Sequence, residues 1–336
     1  SVQVTDDLMR AVHDNGIWPL VFPAGHLSVD GETIERSWSG YDRPVTCRVL
    51  NRLPARELWE HIMRSAYETA EPGVLFIDTI NRENNLGYRE RISSTNPCGE
   101  LPLPPYGACD LGSINLTRFV EAPFQSGAAL DLDGIRAVTR TAVRLLDAVI
   151  DISHYPLPEQ RRQAGETRRI GLGLTGLADA LMLLGLHYHS ESARSQAKAA
   201  MQAICHSAYE ASIELAEEKG PFPCFERENY LDSPFVQRLP AHIRDGVARH
   251  GIRNSHLLAI APTGSISLLA NAVSTGIEPA FDLAWQQRVR EAGGEVRSFR
   301  IENHALRVWR QINGDEPLPD CFVTCLLYTS PSPRDL

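Results

Sequence analysis

Asn96-Pro97-Cys98-Gly99-Glu100 sets an amide, a thiol and a carboxylate at alternate positions of one short stretch. Alternate residues of an extended chain project to the same side, so one small group could meet all three side chains. Pro97 and Gly99 suit a loop tip better than a helix or a central strand. A thiol beside a base and an amide fits chemistry on a substrate hydroxyl or carbonyl. On spacing alone, a buried cysteine in a turn is the commoner explanation.

Three further stretches bear on chemistry. Cys109 follows in Pro104-Pro105-Tyr106-Gly107-Ala108-Cys109-Asp110-Leu111-Gly112. Pro262-Thr263-Gly264-Ser265-Ile266-Ser267 combines small residues with three hydroxyls; such a turn lets backbone N–H groups approach phosphate oxygens, and a helix starting there adds a favourable field. An ordinary strand-to-helix turn has the same composition, because Ser and Thr are common helix caps. Gly171-Leu172-Gly173-Leu174-Thr175-Gly176 satisfies GxGxxG, and Glu191 follows at the spacing of a ribose-binding acid. That fingerprint needs a second parallel strand ending at Glu191. His187 to Ser195 reads instead as a connection between helices, so a dinucleotide fold, and a flavin or nicotinamide oxidoreductase with it, is rejected.

The elements that must position these groups alternate between strand and helix, which gives an α/β class. Ala55 to Ala70 carries Leu58, Trp59, Ile62, Met63, Ala66 and Tyr67 on one helical stripe, stopped by Pro72-Gly73. Val74 to Ile77 reads as a short buried strand. Ile135 to Ile152 repeats Ile135, Val138, Ala142, Leu145, Leu146 and Val149 at helical spacing, and Ala193 to Lys219 is a helix closed by Gly220-Pro221. Ile170 to Leu186, the longest apolar run, reads as a buried strand and then a helix. Asn254 to Ala261 reads as a strand, and Ser1 to Thr5 as a strand already under way.

The net charge of −9 and scattered basic residues argue against a nucleic-acid surface, which needs grouped Lys and Arg. No secretory signal opens the chain, since Asp6, Asp7 and Arg10 interrupt any apolar run, and Ile170–Leu186 is short for a membrane span and carries Asp179. Seven irregularly spaced cysteines without a CxxC pair suggest neither zinc nor a disulfide framework and point to a reducing cytoplasm. Cys205 reads as a core residue on a helix face, while Cys47, Cys224 and Cys321 fall in loop-like segments without an assigned role. From Cys325 to Asp335 the string CLLYTSPSPRD fits nothing before it and resembles a translated sequencing adapter; a Ser/Pro-rich disordered tail is the alternative.

In order along the chain, FIDTINRENNLGYRERISST, NPCGE, PLPPYGAC, LGSINL, RRIGLGLTGLADAL, RNSHLLAIAPTGSISLL and STGIEPAF are similar to the catalytic chain of ribonucleotide reductases, of the adenosylcobalamin-dependent class II kind. The resemblance covers residues 1–324. It implies part of a ten-stranded α/β barrel built from two antiparallel halves, with a finger loop through its centre, and a separate tail at 325–336. Cys98 matches the cysteine that becomes a thiyl radical and takes the ribose 3′ hydrogen. Glu100 matches the general base on the 3′ hydroxyl, and Asn96 the amide that holds the ribose hydroxyls. Cys109 matches one of the two thiols that supply the electrons, its partner lying upstream of residue 1. Pro262, Thr263, Gly264, Ser265, Ile266 and Ser267 match the substrate-phosphate loop, and Glu278 a supporting position in the Gly276-Ile277-Glu278-Pro279 motif.

The same resemblance implies a ribonucleotide substrate (a diphosphate by preference), adenosylcobalamin, a thioredoxin-like reductant, effector nucleotides bound upstream and a homodimer, with no protein-bound metal site, nucleic acid or membrane. A stretch of this extent alone is expected to be inactive, with exposed strand edges. Pro97 and Gly99 around the cysteine, then PPYGAC, favour class II over class I, which uses a separate metal-containing subunit; the oxygen-sensitive glycyl-radical class ranks last. A nucleotide-binding relic without turnover is the remaining alternative, weakened by the presence of Asn96, Cys98, Glu100 and Cys109 together.

Overall fold

The structure, a computed structural model, describes residues 1–26, 31–38, 41, 43–291 and 293–324; the CLLYTSPSPRD tail lies outside the described residues. The chain divides into two compact units. One comprises Ser1–Gly107 with Glu228–Arg238, the other Ala108–Arg227 with the chain from Leu239 onward.

In the first unit, β1 (Val2–Val4) leads into α1 (Asp6–His13), whose first turn is capped by Thr5. Strands β2 (Ile17–Pro23), β3 (Thr33–Arg36) and β4 (Val45–Pro54) form an antiparallel sheet in the order β2-β4-β3. Helix α2 (Ala55–Thr69) follows, and its Ala55 joins Val4 and Leu8 in a small core against Trp18, Leu58 and Trp59. The expected stripe on α2 is buried at Ile62, but its last member, Tyr67, is exposed. Strand β5 (Val74–Phe76) pairs in parallel with β1, its one strand neighbour among the described residues. With one neighbour it is not the buried strand expected, and Phe76 is 48% exposed. Helix α3 (Ile77–Arg82) leads towards the short hairpin β6 (Ser94–Thr95) and β7 (Pro102–Leu103). Cys47 sits buried within β4, not in a loop.

The second unit is organised by a parallel pair. β8 (Asp110–Asn115) is followed by the hairpin β9 (Val120–Glu121) and β10 (Ala129–Leu130), then α4 (Leu132–Ile152) and α5 (Pro158–Thr167). The chain returns as β11 (Ile170–Thr175), paired residue for residue with β8 from Ile170–Asp110 to Thr175–Asn115. Parallel strands require such a crossover. Every residue of β11 and of α6 (Leu177–Leu183) is buried, as the apolar run predicts. Helix α7 (Glu191–Lys219) begins at Glu191 with Ser190 as its cap and packs along α4. Glu191 therefore opens a helix, and no strand ends there. On α4 the buried positions are Ile135, Thr139, Val143, Leu146, Asp147 and Ile150. Val138 and Leu145, counted on the expected stripe, are exposed, because the buried face is rotated by about one residue.

Helices α8 (Arg227–Leu231) and α9 (Pro234–Gln237) carry most of the segment returned to the first unit. The second unit resumes with α10 (Ala241–His250), α11 (Ser265–Leu269), the antiparallel hairpin β12 (Ala284–Arg290) and β13 (Val296–Glu302), and α12 (His304–Asn313). The stretch 254–261 is not the regular strand expected. It runs beside β11 with a single parallel bridge, Leu258 to Leu172, and bonds from Ile170 N to His256 O and from Leu172 N to Leu257 O. Its close approach explains the glycines of β11: a Cβ on Gly173 would lie 2.1 Å from the Ala259 carbonyl oxygen.

Behind β8 and β11 lies a knot of buried charge. Asp147 of α4, with no solvent exposure, accepts from Arg168 Nε at 2.8 Å and Asn254 Nδ2 at 3.0 Å, and has Lys219 and Arg253 at 3.4 Å. Burial pushes its carboxyl up, but the bond and charge of Arg168, then Arg253 and Asn254, bring it below the usual carboxylate range. Among the described residues, no helix is long and apolar enough to cross a membrane, and no group of three or more His, Cys, Asp or Glu is arranged to hold a metal ion.

Candidate active site

The first unit presents Asn96–Glu100 at the tip of the β6–β7 hairpin. The turn is tight, not extended. Asn96 Oδ1 accepts from Gly99 N at 3.2 Å and Leu101 N at 3.0 Å, while Gly99 N also reaches the Asn96 carbonyl at 3.1 Å. Gly99 takes a φ of +91°, a conformation that a side chain resists. The alternate-projection idea therefore fails in detail. The oxygen of Asn96 is spent shaping the turn; among the described residues, its Nδ2 donates to no protein acceptor.

Cys98 is exposed and opens onto a cleft of about 550 Å³ whose other walls include Ala70 to Leu75. Glu100 is half-buried, and its Oε2 is shut off from solvent with no hydrogen-bond partner among the described residues. A buried carboxylate oxygen without a partner carries a desolvation cost that a ligand hydroxyl would relieve. An accessible thiol and an unsatisfied acceptor thus stand two residues apart on a turn whose shape is fixed by the amide between its ends.

The second unit holds Cys109 and the 262–267 loop. Cys109 immediately precedes β8, and its Sγ lies 3.5 Å from the Asp110 carbonyl. Strand alternation puts it on the Leu111 side, where a Cβ on Gly171 would approach both Leu111 and Cys109 Sγ. The opposite side, at Gly112, faces Leu146 of α4. Asp110 lies on that helix-facing side; burial pushes its carboxyl up.

The loop Pro262–Ser267 follows the stretch paired with β11, so it emerges past the other end of the strands from Cys109. Two of its three hydroxyls are already committed. Thr263 Oγ1 donates to Thr275 O at 2.9 Å, and Ser267 Oγ to Gly264 O at 2.7 Å. The donors left without a protein acceptor among the described residues are Ser265 Oγ and the N–H groups of Gly264 and Ser265. They border a cavity of about 630 Å³ that Thr275, Glu278 and Trp285 also line. The helix that starts here, α11, has only five residues, so individual N–H groups matter more than a summed dipole. Glu278 holds the loop's neighbour: its Oε1 accepts from Thr275 Oγ1 at 2.9 Å and from Thr275 N.

Of the remaining cysteines, Cys205 behaves as a core group, its thiol pushed up to about 11 by burial. Cys321 is buried in the cluster around Met182 and Phe322, and Cys224 lies 3.7 Å from Glu166 Oε2. In the sequence Asp179 stands out only as an argument against a membrane span. It is the one charge inside the longest apolar run, and a charge among buried residues is itself a signal, because such groups persist only when paired.

Residues 1–313 match the family model described as ribonucleotide reductase, barrel domain. The chain is 41% identical over 289 residues to the vitamin B12-dependent ribonucleoside-diphosphate reductase of Mycobacterium tuberculosis (strain CDC 1551 / Oshkosh), covering 86% of this chain and 36% of that protein. It is 39% identical over 246 residues to the protein of the same name from Thermoplasma acidophilum, covering 73% of this chain and 29% of that one. The large subunit of ribonucleoside-diphosphate reductase from Caenorhabditis elegans is 33% identical over 304 residues, 85% of this chain and 38% of that protein. The chain thus spans about a third of the length of these curated relatives.

Proposed function

Since the chain belongs to the ribonucleotide reductase barrel family, we propose that it is the catalytic barrel segment of an adenosylcobalamin-dependent reductase, converting ribonucleoside diphosphates to 2′-deoxyribonucleotides. The observation that carries this reading is the hairpin turn: an exposed Cys98 thiol two residues from a Glu100 oxygen that is buried and, among the described residues, without a hydrogen-bond partner. A sulfur radical and a ribose C–H bond exchange hydrogen reversibly, because the two bonds to hydrogen are comparable in strength. Cys98 takes the 3′ hydrogen. Glu100 takes the 3′ hydroxyl proton as the 2′ hydroxyl leaves as water. The Nδ2 of Asn96 holds a ribose hydroxyl while its oxygen keeps the turn in shape. Cys109 supplies one of the two thiols whose oxidation to a disulfide balances the reduction. Gly264, Ser265 and their neighbours from Pro262 to Ser267 hold the phosphates through backbone N–H and the Ser265 hydroxyl.

The cleft before Cys98, about 550 Å³, is too small to enclose a whole corrinoid, but it opens a path to a solvent-accessible sulfur. Adenosylcobalamin would supply the radical that removes hydrogen from that sulfur; residues 70–75 would form the wall facing it. Reduction by a thioredoxin-like protein, control by effector nucleotides, a homodimer and a cytoplasmic setting complete the proposal. The 39–41% identity to vitamin B12-dependent enzymes, against 33% for a large subunit, supports this class over one with a separate radical-generating subunit.

Deoxynucleotide formation by the complete reading frame tests the reading, with adenosylcobalamin, a dithiol and a ribonucleoside diphosphate or triphosphate. Turnover without a second subunit, abolished in Cys98→Ser, is the expected result. Well-folded protein that turns over only with a metal-radical subunit overturns the cobalamin assignment, and silence under both conditions overturns catalysis.

A further inference from the structure

Asp179 sits in the first turn of α6 with no solvent exposure. Its two oxygens serve different segments. Oδ2 accepts from Ser274 N at 2.7 Å, whereas Oδ1 accepts from Asn303 Nδ2 at 2.7 Å and Ala305 N at 3.3 Å, at the start of α12. Burial pushes the carboxyl up, and those three donors oppose the shift. Each of these hydrogen-bond partners is a donor, so among them a proton on either oxygen would find no acceptor.

The Ser274 side continues to the loop. Ser274 O accepts from Thr175 Oγ1 at 2.6 Å and Gly176 N at 2.8 Å, and Ser274 Oγ accepts from Ala178 N at 3.2 Å. One peptide further on, Thr275 O accepts from both Thr263 N at 3.0 Å and Thr263 Oγ1 at 2.9 Å. Thr175 Oγ1 is itself 3.1 Å from Thr263 Oγ1. Thr263 immediately precedes Gly264 and Ser265, which line the cavity and whose N–H groups have no protein acceptor among the described residues. A continuous path of short bonds therefore runs from Asp179 Oδ2 to the residue that aims those donors, and Asp179 Oδ1 does not take part in it.

We propose that Asp179 is a positioning residue for the phosphate-binding loop: through Ser274, Thr275 and Thr263 it fixes the direction of the Gly264 and Ser265 N–H groups towards a diphosphate. This deepens the function proposed above and rests on the loop's assignment there. A chain of packed, fully bonded groups with one rigid anchor is how donors are preorganised within a fraction of an ångström.

The divided carboxylate supplies its own control. In the complete protein, calorimetric titration with cytidine diphosphate is compared for the unaltered chain, Asp179→Ala, Asn303→Ala, Thr175→Val and Thr175→Ser. Asp179→Ala and Asn303→Ala both lower the thermal midpoint, but only Asp179→Ala weakens diphosphate binding, by about ten-fold, the usual scale for losing one buried hydrogen bond. Thr175→Val, which keeps the side-chain volume, shows a similar loss, and Thr175→Ser, which keeps the hydroxyl, restores the affinity. Equal weakening in Asp179→Ala and Asn303→Ala, or none in Asp179→Ala and Thr175→Val, overturns the positioning role while leaving the loop assignment intact. Absence of cytidine diphosphate binding by the unaltered chain overturns the loop assignment, and the positioning role falls with it.

Discussion

Asp147 and Glu100 both hide carboxylate oxygen from water, and the protein treats them in opposite ways. Asp147 is ringed by Arg168, Asn254, Lys219 and Arg253. Glu100 keeps an oxygen hidden from solvent and, among the described residues, without a hydrogen-bond partner. Burying charge is costly in both places. Where partners are supplied, the group cements strand to helix and has no capacity left for a ligand. Where they are withheld, the cost persists until something else donates a hydrogen bond. The comparison separates a charge that builds the fold from one whose open oxygen suits the chemistry proposed for Glu100.

The contrast breaks most visibly under substitution. Glu100→Gln in the complete enzyme is expected to lower turnover by about 10²–10⁴-fold, the range for loss of a general base, with no loss of thermal stability. A fall in melting temperature with turnover intact would move Glu100 into the structural group. Asp147→Ala is expected to do the reverse, costing about 3 kcal/mol because buried Arg168 loses its fully buried partner and keeps only the half-exposed Asp151 carboxylate; urea unfolding of the chain measures it, and an unchanged midpoint refutes the cementing role.

Acidity sharpens the same point. The Asp147 carboxyl lies below its ordinary value in the folded state, so the folded state favours its ionised form. Its contribution is fully present above the unfolded value of about 3.9 and is lost as pH falls through the lower folded value. The urea midpoint should drop on acidification below about pH 4, and drop less in Asp147→Asn; parallel curves would deny the linkage. The smallest expected effect concerns the thiols. Exposed Cys98 should alkylate at pH 8 before Cys205, whose thiol burial pushes up to about 11. Mass-spectrometric peptide mapping that finds Cys205 labelled first would contradict that order.

Much of this was legible in the residues because it depends on local pattern. The helices after Leu132 and Glu191, the buried run through β11 and α6, and the hairpin location of Cys98 follow from periodicity and from Pro and Gly. The family followed from long motifs in order, and the match over residues 1–313 agrees. What failed depended on partners distant in sequence. Asn254–Ala261 has the composition of a strand, yet Ser212 and Asp147 claim Asn254, and only Leu258 enters a ladder. Asn96 and Cys98 were expected to share a face, but Asn96 Oδ1 turns back to the amides of Gly99 and Leu101. Thr263 and Ser267 looked like phosphate donors until Thr275 and Gly264 proved to hold their hydroxyls. Side-chain type limits what a group can do, and neighbours decide what is left for it to do.

The glycines of β11 have a consequence for anyone altering or searching for such chains. Because a Cβ at Gly173 would meet the Ala259 carbonyl, and one at Gly171 would meet Leu111 and Ala259, these positions admit no methyl group without moving the neighbouring backbone. Alanine scanning or stabilising substitution across this strand will report damage that has nothing to do with nucleotide recognition. A pattern search for GxGxxG will continue to select it as a cofactor fingerprint. The string records tolerance for close backbone contact, and in this protein the visitor at the glycines is the chain's own later segment.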